Sequence, residues 1–169
     1  MFLHFKAPKR QKPLKKMNFV ESTSTLGSLQ TMVRPFYKDE YATLELDDSI
    51  PCIRLTLNGI PRHSEHYHLV QSKRLELMNR EIRNYPKLHM LTDSRSAGPV
   101  LNEDVEYFKT EVLPAMERAG VKCLAIVMPV SKFTQLTVKE MTEHARVMNI
   151  RYFESMREAR LWLRRMTNA

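Results

Sequence analysis

Two short polar clusters, Asp93-Ser94-Arg95-Ser96 and Ser131-Lys132, hold side chains suited to recognising an anion. Each comes after an apolar run that reads as a strand, Leu88 to Thr92 and Val121 to Met128. Ligands of open α/β sheets collect beyond the carboxyl ends of the parallel strands. The loops at 58–61, 93–101 and 129–136 are therefore expected to meet on one rim. Arg95 and Lys132 would bring positive charge to it, and nearby helix N-termini would bring amide donors. A local reading stands beside this one, in which Asp93 and Arg95 tie down their own loop.

His63, His66 and His68 crowd the start of a helix, with His63 and His66 spaced i, i+3 so that two imidazoles can share a face. His68 points elsewhere and Glu65 is the one acid nearby, so the three read as exposed histidines and no metal site is expected. On the last helix Arg157, Arg160 and Arg164 fall at i, i+3, i+7 beside Arg165. They read either as a basic stripe for an acidic partner or lipid headgroup, or as a solvated face that complements the helix dipole and is offset by Glu154 and Glu158. The sequence has no Gly-rich phosphate loop, no Gly-x-Ser-x-Gly elbow and no His-Glu-x-x-His, and only four glycines in all. It nominates no catalytic residue and calls for no cofactor.

The elements that would position these groups emerge from periodicity. Tyr41 to Leu46 and Cys52 to Leu57 alternate apolar and polar residues around Asp47-Asp48-Ser49-Ile50-Pro51, the pattern of an antiparallel hairpin at a sheet edge. Residues 61–84 carry a helical stripe through Val70, Leu77, Met78 and Ile82. Asn102 is placed to cap a helix with Val105, Phe108, Val112, Ala115 and Ala119 on one face, ended by Gly120. Thr137 with Glu140 and Ser155 with Glu158 match the capping box, with Val138, Met141, Ala145 and Met148 after the first and Ala159, Trp162, Leu163 and Met166 after the second. Ile150 to Phe153 is a short strand between them. The order predicts an α/β fold: a mainly parallel sheet of about five strands with an antiparallel edge hairpin and about four flanking helices.

The chain has 169 residues, 43% of them hydrophobic, enough for one core without disulfides or metal. Cys52 and Cys123 sit in strand-like apolar runs and read as buried, reduced thiols. The net charge is +8, but Lys6, Lys9, Arg10, Lys12, Lys15 and Lys16 supply +6 of it within the first twenty residues. Any nucleic-acid contact is thereby assigned to this arm. Residues 1–31 lack sustained periodicity and are expected to be a basic, disordered arm, with a single domain over 32–169. No stretch reaches the roughly 18 apolar residues of a membrane span, and no secretory leader is visible, so a cytoplasmic protein is expected.

Leu91-Thr92-Asp93-Ser94-Arg95, Ala125-Ile126-Val127-Met128-Pro129 and Tyr152 to Leu163, ending in Ala159-Arg160-Leu161-Trp162-Leu163, together resemble the STAS-like proteins, named for domains shared by sulfate transporters and anti-sigma-factor antagonists. The likeness spans about residues 36 to 166 and is nearest to a small bacterial STAS-like group whose fold is related to the CRAL-TRIO lipid-binding domain. It implies a noncatalytic regulatory or binding module that recognises a protein partner or a small anionic ligand. The alternative it implies is a carrier of a lipid or hydrophobic small molecule. Antagonists of this family are phosphorylated on a serine in an Asp-Ser-Ser/Thr-Gly motif at the start of a helix. The corresponding Asn102-Glu103-Asp104-Val105 has no serine, although Ser94 and Ser96 lie just upstream.

Overall fold

The computed structural model describes residues 35–169, so the expectation of a disordered arm over 1–31 falls outside the described residues. Alternating apolar residues build β1 (Tyr37–Lys38), β2 (Ala42–Asp47) and β3 (Cys52–Gly59), which pair antiparallel in succession. Three further strands, β4 (His89–Ala97), β5 (Cys123–Val127) and β6 (Asn149–Phe153), continue from β3 in parallel. The result is one six-stranded sheet in which spatial order equals chain order. The fold is the predicted mixed α/β type. The hairpin, however, is not the outermost element, because the two-residue β1 pairs outside β2.

Period-2 alternation sorts the strand residues between two cores. On one face Leu44, Ile53, Leu55, Met90, Leu124 and Ile126 meet helix α1 (Ser64–Glu81) through Val70, Leu77 and Met78. The same core takes Val105 of α2 (Asn102–Tyr107), Leu113 and Met116 of α3 (Leu113–Ala119), and Met141 of α4 (Lys132–Thr142). On the other face Cys52, Leu91, Cys123, Ala125 and Val127 are covered by Ala159, Trp162 and Leu163 of α5 (Met156–Asn168). Both cysteines are buried and free, and burial pushes the Cys52 thiol up to about 12.

Several local expectations are corrected. The helix at 102–119 contains a π turn over Phe108–Val112. Its extra residue rotates the next turn, so Leu113 and Met116 are buried where a constant 3.6 period predicts Ala115 and Ala119. Leu101, rather than Asn102, occupies the N-cap position, with no side-chain hydrogen bond. Helix α4 is capped by Ser131 rather than the expected Thr137, the Ser131 hydroxyl accepting from the Thr134 amide at 3.3 Å. It ends at Thr142, leaving Ala145 and Met148 in the connection to β6. That connection is held by Glu117, whose Oε1 accepts from the amides of Arg146, Val147 and Met148 at 2.8, 2.8 and 3.1 Å. The predicted stops hold better: Gly120 ends α3 at φ +97°, and the Ser155 hydroxyl accepts from the Glu158 amide at 3.2 Å.

Candidate functional site

The polar run 93–97 is not a loop. It extends β4, paired with β3 through Asn58↔Ser96 and Gly59↔Ala97 after a register shift at Thr56/Asn58. Alternation therefore divides the proposed rim. Asp93 is buried, and its two carboxylate oxygens accept from Arg95 Nε at 2.9 Å and Nη2 at 2.7 Å. The Arg95 guanidinium beside it, against the opposing effect of burial, leaves the Asp93 carboxyl below the ordinary range. This is the local tie of the alternative reading. Ser94 turns to the opposite face, where it lines a cavity, and Ser96 is exposed. Ser131 is engaged as the α4 cap, and Lys132 Nζ reaches Gln135 Oε1 at 3.4 Å.

The basic stripe is similarly divided. Arg160 pairs with Asp47 and donates to the Ser49 hydroxyl at 3.2 Å, tying α5 to the β2–β3 hairpin, while Arg157 and Arg164 are exposed.

The histidines are corrected most. His66 is buried, not exposed, and its Nε2 lies 2.7 Å from Asp39 Oδ2. Asp39 also accepts from the Tyr37 hydroxyl and from the amides of Tyr41 and Ala42 at 2.8 and 2.7 Å. His63 caps α1, its Nδ1 accepting from the His66 amide at 3.2 Å. His68 stacks on Tyr107 with centroids 3.8 Å apart, and its Nε2 is 3.2 Å from Oδ1 of the fully buried Asp104. Burial raises that carboxyl, opposed mainly by Ser64 and His68.

Asp39 supplies a pH prediction. Burial works against its charge, yet the Tyr37 hydroxyl, the His66 ring and the two amides outweigh it and hold the carboxyl down to about 2. An unfolded aspartate titrates near about 4. The stabilisation is thus complete above pH ~4 and is lost as pH falls towards ~2. Unfolding free energies from urea melts of the parent and Asp39→Asn should differ by roughly 1.5–3 kcal/mol at neutral pH and converge across that acid window. A difference that stays constant from pH 7 to the bottom of the window would refute this account.

The cavity that Ser94 faces lies between the sheet and helices α1 and α4, with a volume of about 50 Å³. Leu55, Leu57, Leu124, Ile126, Phe108 and Met141 make its lining predominantly apolar. Into this lining projects Arg74 of α1, whose Nη2 donates to Thr92 Oγ1 at 2.9 Å. Arg74 is only 1% exposed, and among the described residues no carboxylate pairs with it. Its Nε has no hydrogen-bond partner, and neither have Gln71 Oε1 and Thr134 Oγ1, which belong to the same lining. Phe108, the first residue of the π turn, adds an aromatic ring to the same lining.

Arg74 is not among the residues that the sequence nominates. A signal for it exists: Arg74 stands four residues after Val70 and four before Met78, on the apolar stripe itself. Gln71 occupies the neighbouring inward position.

No family model matches the chain, and no curated protein matches it. Among solved structures it is similar to a protein from Shewanella loihica PV-4, described as an uncharacterised protein of the DUF3478 family with a SpoIIAA-like fold. The two are 18% identical, with a TM-score of 0.50, over 72% of this chain and 91% of that one. The chain thus has a SpoIIAA-like, STAS-like fold, as the sequence resemblance implied. No helix among the described residues is long and apolar enough to cross a membrane.

Proposed function

We propose that the chain is a noncatalytic, cytoplasmic binding module of STAS-like fold, holding a small ligand near the carboxyl ends of its parallel strands and presenting the surrounding loops to a protein partner. The observation that carries this reading is the cavity between sheet and helices, into which Ser94, Thr92, Thr134 and Arg74 bring polar groups amid apolar walls. Apolar walls with a few convergent polar groups are the usual lining of a small-molecule site. The loops after β3, β4 and β5 expose Ile60, Leu101 and Val130, an apolar surface suited to a partner.

The second reading, a carrier of a lipid or hydrophobic small molecule, draws on the same apolar lining. The relation of the fold to CRAL-TRIO domains adds to it by analogy alone.

Native mass spectrometry of the full-length protein, purified gently from its own cells, tests the proposal. A stoichiometric small-molecule adduct is expected, and its chemical class separates the two readings. A ligand-free mass in every preparation, with no exchange when small-molecule extracts are added, would sink both. The partner surface is tested by joint replacement of Arg95 and Lys132 with alanine. Unchanged capture of every polypeptide that accompanies the parent would remove those two residues from it.

A further inference from the structure

A guanidinium buried without a carboxylate is uncommon, because arginine is rarely taken out of water unless something pairs with it. Arg74 has one hydrogen bond, to Thr92, and a free Nε. Burial draws it down to about 10, which still leaves it charged at neutral pH. A full positive charge therefore faces a cavity whose walls are mostly hydrocarbon. Its remaining donors, together with the unpartnered Gln71 Oε1 and Thr134 Oγ1, face the same space.

Resting on the small-ligand reading above, we propose that the cavity's ligand is a monoanionic carboxylate with a short apolar tail, its carboxylate paired with Arg74 and its tail against Leu55, Leu57, Ile126 and Phe108. Three physical points select this class. A planar carboxylate matches the guanidinium fork and takes two parallel hydrogen bonds from it. One charge balances one arginine, whereas a phosphate dianion would leave a net negative charge in a dry site and carry a larger desolvation cost. The cavity's volume of about 50 Å³ limits the tail to one or two carbons, since roughly 150 Å³ is what a benzene fills. The Thr134 hydroxyl can donate to the same carboxylate, and a water donating to both it and Gln71 Oε1 would complete the set of polar partners.

The test uses the full chain and two probes of equal tail length, propionate and 1-propanol, titrated by calorimetry and by ligand-observed NMR. Propionate is expected to bind at least about tenfold more tightly than propanol, the difference coming from the charge-assisted pair. In Arg74→Met that ratio should fall to about one, with far-ultraviolet circular dichroism verifying the fold; Arg74→Lys should keep part of the preference. Equal binding of the two probes to the parent would overturn the carboxylate assignment while leaving the cavity as a ligand site. Binding of neither would overturn both. A preference that survives in Arg74→Met would place the anion elsewhere and overturn the role given to Arg74.

Discussion

Replacement of Arg74 by methionine is expected to stabilise the ligand-free protein by roughly 1–4 kcal/mol, the range in which apolar residues of similar volume outperform buried charges. In the folded state the guanidinium has surrendered its hydration and received one hydroxyl in return. Methionine fills similar space with no charge to desolvate, and its flexible thioether adapts to an irregular wall. The offsetting loss is the Thr92 hydroxyl, which would be left without its donor at a cost of about 1 kcal/mol. Denaturant melts of parent and variant, in protein stripped of small molecules by refolding, measure the balance. A gain identifies Arg74 as a residue retained at the expense of stability. A loss of more than about 2 kcal/mol would identify it as a structural tie and remove the rationale for an absent counterion.

The second large effect belongs to the opposite face of the sheet. Leu163→Ala is expected to cost roughly 2–5 kcal/mol, a large share of a typical total of 5–15 kcal/mol. Leu163 is fully buried against strand residues that include Leu91, Cys123 and Val127. Among the described residues α5 is the one helix in that core, so a void left there has no second helix to settle into it. Leu161 on the same helix is 45% exposed, and its replacement by alanine should stay within about 0.5 kcal/mol. Thermal or urea melts of the pair check the contrast. Equal effects at 161 and 163 would contradict the packing described for α5.

The parts of this fold that depend on nearby residues are legible in the sequence. Gly120 stops its helix because a left-handed residue is needed there, and Ser155 caps α5 because its hydroxyl reaches an amide three residues on. The apolar run at 121–128 could be little else than a strand between neighbours. Departures arise where a distant partner decides the outcome. Asp93 to Ala97 has the composition of a loop, yet pairing with the end of β3 makes it strand and sends Asp93 and Ser94 to opposite faces. Thr137 with Glu140 satisfies the capping pattern but lies inside a helix that Ser131 has already started.

The candidate site is less legible than the fold. Composition directs attention to an arginine in an exposed loop, where Arg95 proves to be paired with Asp93. The unpaired one lies within an apolar stripe, where a helical wheel treats it as an interruption. His66 reads as exposed for the same reason: its partner Asp39 stands 27 residues earlier, beyond the reach of local pattern.

The coincidence of strand order with chain order bears on synthesis of the protein. As the chain leaves the ribosome, each new strand can add to the free edge of the sheet already formed, and none has to be threaded between two strands in place. The face bearing Leu91, Cys123, Ala125 and Val127, however, has its cover only after residues 156–168 have emerged. A nascent chain that has emerged as far as residue 155 and no further therefore carries a sheet that is complete in its strands and adhesive on one side.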